Sequence, residues 1–423
     1  MSEPSASSVS YWELLRTRRQ FARLWLGQSI SNLGDLFSLV ALSVAVYLQT
    51  DSAAWVAAVF AARAIGTLAV TPVAGRLADT MDRRRWMIAL DLVRMGIVAV
   101  IPFGLQAWLP SILIAVFVLQ AASALFYPSK LSSIPGLVGQ PMVTRANALS
   151  GISDRILEIA GYPAGGLLVV AWGVHALFWV DALTFGISAA TIFSMSSSAF
   201  ARVEMLSSKE GRFWRGMKVA WALPRLRYNL VAAIGGAWPL GAALPLLVVL
   251  TYRHIVFHEP IGYSLMLTAL ALGAAIGAAV VGRCGPALRF WGTAVGIVVS
   301  GVGFIALGNI SFIGTGLLAV FLSGLGNGCF YVANQSEMQD QVPEVVRGRV
   351  LSARFAGTQF MVALGAASSG WVATALSVSG AYVLLGLLLA GWGLVLTGTA
   401  LLRSEVRAPY RGHLDIVGRE KSA

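Results

Sequence analysis

Charged residues are scarce in this sequence of 423 residues, since Asp, Glu, Lys and Arg together make up 12% of it. Average soluble domains contain about 25%. Hydrophobic residues make up 57% of the chain, and its mean hydropathy is +0.75. This lack of charge excludes a soluble globular protein.

Cysteine and histidine are also rare. The two cysteines, Cys284 and Cys329, lie in or beside apolar segments and cannot build a disulfide framework. The four histidines form no metal-binding pattern. There is no Gly-x-x-x-x-Gly-Lys-Ser/Thr loop for ATP and no recognisable catalytic set. We therefore expect no metal, no cofactor and no enzymatic activity.

Long apolar runs dominate the chain, and about 20 apolar residues suffice to cross the hydrocarbon core of a bilayer. Six runs precede a charged break and six follow it. The sequence therefore predicts an all-α integral membrane protein with twelve transmembrane helices in two six-helix bundles. The predicted spans are 21–48, 53–78, 86–107, 111–135, 147–170, 176–197, 229–252, 261–282, 291–309, 312–335, 350–373 and 380–402.

The bundles are predicted at 21–197 and 229–402, with a linker at 198–228 and tails at 1–20 and 403–423. The basic residues predict the orientation, because cytoplasmic loops are enriched in Lys and Arg. Only Arg253 falls in a predicted external loop, and Lys130 and Arg145 are assigned to the cytoplasmic loop between spans four and five. Four arginines lie within spans: Arg63, Arg94, Arg155 and Arg354. We expect a multi-pass protein of the bacterial cytoplasmic (inner) membrane with both termini cytoplasmic.

The linker carries seven basic residues, among them Arg225 and Arg227. It is interpreted either as a helix on the anionic inner leaflet or as a regulatory, lipid-binding surface. The basic residues that give the net charge of +12 lie in short clusters between apolar runs. A nucleic acid is therefore not an expected partner.

The two halves repeat at an offset of 204 residues. Phe126-Tyr127 matches Phe330-Tyr331, Arg145 matches Arg349, and Gly166 matches Gly370. Duplicated halves place a substrate site between them near the membrane midplane, open to each side in turn. The predicted fold is therefore pseudo-symmetric.

The loop between spans two and three reads Gly75-Arg76-Leu77-Ala78-Asp79-Thr80-Met81-Asp82-Arg83-Arg84-Arg85. Gly75 would allow tight helix packing, and Asp79 and the arginines could form charge pairs at the membrane surface. This loop resembles the signature of the major facilitator superfamily. The resemblance implies that the loop locks the outward-facing state against the start of span eleven. The gating residues would be Gly75, Asp79, Arg83, Arg84, Asp91, Arg94 and Arg349.

Further segments narrow the resemblance to one branch. Asp82 stands where many members have glycine, and the sequences Leu24–Gln28, Ser31–Asp35, Arg145–Leu149 and Phe178–Leu183 are similar to the third drug:proton antiporter branch. That branch contains macrolide efflux proteins and the enterobactin exporter. Gly161-Tyr162-Pro163-Ala164-Gly165-Gly166 resembles, in degraded form, the span-five signature of antiporters, and ordinary glycine packing is the alternative.

Acidic residues inside the membrane are costly, at about 2.5–3.5 kcal/mol at a helix centre, and so require a reason. Asp35 lies near the middle of span one, on a polar stripe with Gln28, Ser31, Asn32 and Ser38. We expect Asp35 to pair with Arg63, which lies at equal depth in span two. The carboxylate would either exchange protons during transport or form a permanent packing pair.

Span five contains Asp154, Arg155 and Glu158. Arg155 and Glu158 are three residues apart and are predicted to pair along the helix. Glu158 could join Asp35 in an acidic cluster suited to proton coupling. Asp181, in span six, is predicted to be structural. The proton-coupling candidates are Asp35, Glu158, Arg63 and Arg155.

Polar and aromatic residues on the inward-facing spans are candidates for the substrate cavity, where few fixed charges would suit a bulky amphipathic solute. These candidates are Gln28, Asn32, Gln120, Ser123, Tyr127, Trp238, Asn327, Asn334 and Gln359. The sequence thus predicts a monomeric, proton-coupled exporter of a hydrophobic or amphipathic small molecule, such as a drug, an antibiotic or a siderophore. An uptake symporter and a non-transporting membrane sensor are the alternatives.

Overall fold

The computed structural model describes residues 10–200, 221, 223–254, 260–310, 312–342, 344–403 and 406. Regular structure in these residues is helical. A short helix, Tyr11–Thr17, precedes the first membrane helix and is capped by Ser10, whose hydroxyl accepts from the Glu13 N–H at 3.1 Å. Such a hydroxyl satisfies one of the free N–H groups at a helix start.

Twelve long helices follow, and we number them in chain order. The N-terminal half contains α1 (Arg19–Thr50), α2 (Ala53–Thr80), α3 (Arg83–Ala107), α4 (Pro110–Val138), α5 (Val143–Trp172) and α6 (Val174–Phe193). The C-terminal half begins with α7 (Pro224–His254), α8 (Pro260–Gly282), α9 (Pro286–Leu307) and α10 (Ile313–Gln341). Helix Glu344–Leu402 completes the fold and is broken at Ser377, which has a φ of 67°. We call its two parts α11 (344–376) and α12 (378–402).

Ten helices in the described residues are long and apolar enough to cross a membrane, with Val350–Leu402 counted as one of them. The break at Ser377 makes that helix two spans. The remaining span, α5, has 30 residues but carries Asp154, Arg155 and Glu158 in its middle. The predicted twelve-helix fold is confirmed. The charged residues inside α5 explain why it is not among the ten helices that are apolar enough to cross a membrane.

Helix packing follows the two halves rather than chain order. Within the N-terminal half, α1 packs mainly on α5 and α6, whereas α2 packs mainly on α4. The main contacts of this half with the other half are those of α5 with α8 and of α2 with α11. The two six-helix bundles therefore meet along these two pairs.

The predicted repeat relates the residues at these two meeting points. A Cβ atom added to Gly370 of α11 would lie 2.6 Å from the Ala54 Cα of α2, and one added to Gly166 of α5 would lie 2.7 Å from the Ser264 Cβ of α8. Equivalent glycines thus allow each cross-bundle contact to be close. Both contacts lie near the end of the molecule at Asp51, which we call the far end. The other end, at Arg83–Arg85, we call the basic end.

Side-chain contacts close the far end further. The Arg253 guanidinium of α7 donates from Nε to the Tyr47 hydroxyl at 3.1 Å and from Nη2 to the Asp51 carbonyl oxygen at 2.9 Å. The rings of Tyr47 and Tyr252 lie 5.3 Å apart. We call Tyr47, Asp51, Tyr252 and Arg253 the far-end clasp.

The predicted linker is shorter than expected at its C-terminal end. Helix α7 begins at Pro224 rather than 229, so Arg225 and Arg227 belong to the bundle. Arg225 is buried and forms a salt bridge of 2.7 Å with Glu337 of α10, which explains why a basic residue there is not on the surface. Residues 201–220 and 222 lie outside the described residues, as do the other linker arginines and lysines.

Candidate functional site

A polar cavity of about 340 Å³ lies in the N-terminal half between α1, α3, α4 and α5. Tyr127, which lines it, is 58% exposed and lies within electrostatic range of Tyr331 on α10. The cavity therefore faces the other half. Its lining consists of Gln28, Asn32, Asp35, Leu36, Arg94, Ser123, Phe126, Tyr127, Lys130, Asp154, Leu157 and Glu158.

The polar stripe of α1 faces protein and cavity, as predicted. Asn32 donates to Asp154 Oδ1 of α5 at 2.7 Å, and Gln28 donates to the Ser188 hydroxyl of α6 at 2.8 Å. One turn beyond Asn32, the stripe places Asp35 in the cavity. No described side chain donates a hydrogen bond to the Asp35 carboxylate.

Asp35 and Arg63 do not form the predicted ion pair. No salt bridge joins these two described residues, although Arg94 and Arg63 both lie within electrostatic range of Asp35. The prediction assumed that consecutive antiparallel helices are packing partners. In the structure α1 packs mainly on α5 and α6 instead, so equal depth does not bring the two side chains into contact.

Asp91 and Arg94 of α3 form a buried ion pair behind the cavity. Asp91 also accepts a hydrogen bond of 2.7 Å from Ser188, and the Arg94 guanidinium lies 4.3 Å and 4.5 Å from the ring centroids of Phe126 and Phe185. Arg94 was predicted as a gating residue. It lines the cavity, where its position is fixed by one carboxylate and two aromatic rings.

Arg155 and Glu158 pair on α5, as predicted, with Nη1 2.6 Å from Oε2. The Arg155 side chain is 53% exposed and that of Glu158 is 29% exposed. Glu158 and Asp35 line the same cavity. The carboxylates within electrostatic range of Asp35 are those of Asp91 and Asp181.

Asp181 of α6 is fully buried against α1. It accepts from the Ser38 hydroxyl at 2.5 Å and from the Thr184 hydroxyl at 3.3 Å. A Cβ added at Gly34 would lie 2.5 Å from Asp181 Oδ1, so only glycine admits this carboxylate so close to α1. These contacts give Asp181 a packing position next to Asp35 rather than a place in the cavity lining.

The predicted antiporter glycines of α5 pack against both neighbours of this helix. Added Cβ atoms at Gly161 and Gly165 would meet Leu36 at 2.8 Å and Phe37 at 3.3 Å, both on α1. Gly166 faces α8, as described above. The small residues therefore let α5 sit close to α1 and to the other half at once.

The loop signature between α2 and α3 lies at the basic end. The Asp82 carboxylate caps α3 by accepting from the Arg85 N–H at 3.0 Å, and Arg83 donates to the Ser132 carbonyl at 3.2 Å. Arg84 hydrogen-bonds the Ile192 and Phe193 carbonyls at the end of α6. These contacts hold the start of α3 against α4 and α6.

Gly75 and Asp79 line a groove of about 360 Å³ with Arg83. The tight packing expected at Gly75 is absent here, because nothing lies within 4 Å of a Cβ added to it. The side chain of Arg349, the predicted gating partner on α11, lies outside the described residues.

The other cavity candidates separate into three groups. Ser123 and Tyr127 line the polar cavity, and Asn327 lines a smaller apolar pocket of about 160 Å³ in the C-terminal half. Asn334 is instead fully buried, where it donates to the Asn229 carbonyl at 2.8 Å; its amide satisfies a backbone oxygen and does not face a cavity. Gln120, Trp238 and Gln359 are half-buried, outside both linings.

Lys130 was missed as a site residue because it was assigned to a loop. Helix α4 continues to Val138, so Lys130 lies within it and lines the cavity. The signal was available, since Lys130 falls inside the predicted span 111–135, and an ionisable residue within a span indicates function.

The chain was compared with known proteins. A family model described as transmembrane secretion effector matches residues 9–416. The MFS-type transporter YfiS of Bacillus subtilis (strain 168) is 26% identical over 399 residues, covering 90% of this chain and 93% of that protein. The enterobactin exporter EntS of Citrobacter koseri is 26% identical over 407 residues, covering 92% of both chains. Macrolide efflux protein A of Streptococcus pyogenes is 23% identical over 283 residues, covering 63% of this chain and 67% of that one.

Among solved structures, a bacterial homologue of the human lysosomal transporter Spinster, inward-facing and unoccupied, superimposes with a TM-score of 0.71. It shares 13% identity, and the match covers 95% of this chain and 96% of that one. The fold is therefore that of major facilitator transporters. The family match along almost the whole sequence completes the assignment: this chain belongs to the transmembrane secretion effector family of the major facilitator superfamily.

Proposed function

We propose that the protein is a secondary active exporter that exchanges protons for a hydrophobic or amphipathic small molecule by alternating access. The observation that carries the proposal is the polar cavity, which contains Asp35 without a hydrogen-bonded partner among the described residues, while the far-end clasp closes the molecule on the side of Asp51. A carboxylate in such a position can be reached by protons and by solute, but not from both sides at once.

The basic end is the cytoplasmic end in this proposal, with both termini inside, because Lys and Arg cluster there. The far-end clasp then closes the external side, and the structure is inward-facing. The halves at 21–197 and 229–402 would rock about the cavity as units. The bacterial relatives favour the bacterial inner membrane, with lipid headgroups in contact with the basic loops and the monomer as the working unit.

Export is supported by the names of relatives that carry enterobactin and macrolides outward. The same cavity can serve either direction of transport. Whether the solute is exported or taken up depends on whether it moves against the protons or together with them. Protons entering from outside would neutralise Asp35 and favour release of solute there. An inward-facing cavity with an ionised Asp35 would then be ready for the next solute.

Asp35 is the primary proton carrier in this scheme, and Glu158 is the second. Glu158 is held by Arg155, so a change in that pair alters the charge facing Asp35. Arg94 and Arg63 lie within electrostatic range of Asp35 and limit the cost of its ionised form. When the basic end closes, the loop from Gly75 to Arg85 would meet the start of α11 near Arg349.

Solute-triggered proton release from the purified protein tests this function. Detergent-solubilised wild type in weakly buffered solution would be mixed with lipophilic cations, macrolides and catecholate siderophores while pH is recorded. Asp35→Asn should abolish the release of protons, and Glu158→Gln should reduce it. Asp340→Asn is the matched control, because it removes a carboxylate whose side chain is 58% exposed at the basic end, outside the cavity.

Release of protons by Asp35→Asn at the wild-type level would contradict the role of Asp35. The direction of transport is measured separately, with an active solute in inverted vesicles and in whole cells. Export predicts proton-dependent accumulation in inverted vesicles, whereas accumulation in whole cells would show uptake.

A further inference from the structure

Two charged side chains in the cavity lining have no partner among the described residues. Asp35 projects from α1 and Lys130 from α4, and no hydrogen bond or salt bridge joins either of them to a described side chain. The three donors of the Lys130 ammonium are therefore unused by the protein. Asp35 and Lys130 form the unpaired charge set of the cavity.

Every other charge in the lining is already satisfied. Arg94 is bonded to Asp91, and Glu158 is bonded to Arg155. Asp154 lies within electrostatic range of Lys130, but its Oδ1 accepts from Asn32 at 2.7 Å and it forms no salt bridge with the lysine. Asp35 and Lys130 are therefore the charged residues of the described lining that form no such contact.

A second, smaller recess indicates how Asp35 and Lys130 lie relative to each other. Lys130 also lines a small recess with Gln28, Asn32 and Asp154, and Asp35 is absent from that recess. Asn32 precedes Asp35 by one helical turn, so Lys130 lies on the basic-end side of Asp35.

We propose that the transported solute is zwitterionic, with an amine that binds Asp35 and an acidic group that binds Lys130. Its apolar part would contact Phe126, Leu36 and Leu157, which line the same cavity. The proposal rests on the proposed transport function and names the substrate class of that site. A volume of about 340 Å³ holds a molecule of about dipeptide size.

Solutes with a single charge fit this cavity less well. A lipophilic cation would pair with Asp35 but desolvate Lys130 without a partner, and an organic anion would do the reverse. Leaving a charged group desolvated and unpaired costs more than the new contact supplies. A zwitterion satisfies both groups in one binding event.

The amine also explains exchange with protons. A proton and a solute amine both neutralise the Asp35 carboxylate, so the binding of one excludes the other. Lys130 has no part in that competition and serves as the anchor for the acidic group. Coupling would therefore depend on Asp35, whereas solute selection would depend on both residues.

Three probes on one scaffold test the proposal: phenylalanyl-alanine (both charges), its C-terminal amide (cation only) and its N-acetyl form (anion only). Binding to the detergent-purified full chain is measured by calorimetry at pH 7.5. Wild type should bind the zwitterion about tenfold more tightly than either single-charge probe, as expected for one charge-assisted hydrogen bond. Equal affinity for the three probes, tightest binding of a single-charge probe, or binding of none overturns the proposal.

Two variants assign the ends of the solute. Lys130→Gln should bind the zwitterion and the amide equally, and Asp35→Asn should bind the zwitterion and the N-acetyl form equally. Arg283→Gln is the matched control, since it removes an exposed positive charge outside the cavity and should keep the tenfold preference. A preference that survives Lys130→Gln overturns the assignment of Lys130.

The binding assay separates this inference from the proposed function. If the zwitterion binds through Lys130 and no proton is released, the solute class stands and proton antiport fails. If single-charge solutes bind more tightly and do release protons through Asp35, antiport stands and the zwitterionic class fails.

Discussion

Arg253 of the C-terminal half donates a hydrogen bond of 3.1 Å to the Tyr47 hydroxyl of the N-terminal half. The same guanidinium reaches the carbonyl oxygen of Asp51 at 2.9 Å, directly after α1 ends. One side chain of α7 therefore bridges to the first helix of the other half. Because these bonds can exist only while the far end is closed, they favour the state that is closed there over the state that is open there.

Arg253→Gln should shift the protein toward the outward-facing state. Ser43 provides the reporter position, because it is 2% exposed on α1 in the closed structure. In a background with Cys284→Ser and Cys329→Ser, maleimide labelling of Ser43→Cys should be about threefold to tenfold faster with Arg253→Gln, corresponding to loss of about 1 kcal/mol from a partly exposed contact. Arg283→Gln removes a positive charge at the exposed basic end and should leave the labelling rate unchanged. Equal rates in the Arg253 variant would contradict a role of the clasp in the equilibrium.

The clasp should not respond to pH between 5 and 8. A hydrogen bond from Tyr47 lowers the pKa of the Asp51 carboxyl below its usual range, and the hydrogen bond and charge of Arg253 lower it further. A lowered pKa in the closed state stabilises that state in full at pH values above the ordinary pKa of the carboxyl, and this stabilisation is lost as pH falls from there through the lowered value. The labelling rate of Ser43→Cys divided by that of Ser43→Cys with Asp51→Asn should therefore be constant from pH 5 to 8. In this ratio the titration of the thiol itself cancels. A ratio that approaches one between pH 7 and 5 would show that Asp51 is a pH sensor.

The fold could be predicted because each span is set by its own residues. Apolar length gave the twelve helices, and the positions of Gly166 and Gly370 gave the repeat that the cross-bundle contacts confirm. The pairing of Arg155 with Glu158 was also predictable, since both lie on one helix at a spacing of three. Local periodicity is sufficient for such features.

Contacts between helices were harder to predict. The ion pair expected between Asp35 and Arg63 is absent because neighbours in sequence are not the main packing partners in this bundle. The sequence pattern assigns Lys130 to a loop although it falls inside the predicted span 111–135, and it places Asn334 in a cavity although that residue satisfies a buried carbonyl. In each case the helix face that meets a neighbour depends on tertiary packing, which the hydrophobic pattern does not specify.

Gly34→Ala should destabilise the N-terminal half. A Cβ at this position would lie 2.5 Å from Asp181 Oδ1 and 3.1 Å from the Asp181 Cα, so α1 and α6 would have to move apart. Overpacking of this kind costs about 1–3 kcal/mol. Thermal unfolding in detergent, followed by tryptophan fluorescence, should show a lower midpoint. Gly96→Ala is the matched control on α3, since nothing lies within 4 Å of its added Cβ, and it should leave the midpoint unchanged or slightly higher. Equal midpoints for the two variants would show that α1 and α6 adjust without cost.

Arg94→Gln should be more destabilising than the loss of a partly exposed ion pair. Asp91 is fully buried, so without Arg94 its carboxylate keeps only the hydrogen bond from Ser188. Removing one partner of a buried pair costs about 3–5 kcal/mol, whereas replacing both by neutral groups costs much less. The double variant Asp91→Asn with Arg94→Gln should therefore recover most of the unfolding free energy that Arg94→Gln loses.

The comparison that isolates burial is Arg155→Gln, which breaks the pair with the half-exposed Glu158. That pair should contribute under about 1 kcal/mol, because solvent screens both groups. Reversible unfolding in mixed micelles measures all three variants on one scale. If Arg94→Gln and Arg155→Gln lose equal stability, water reaches Asp91 once Arg94 is removed. If the double variant is no more stable than Arg94→Gln, the loss comes instead from the contacts of Arg94 with Phe126 and Phe185, which the double variant does not restore.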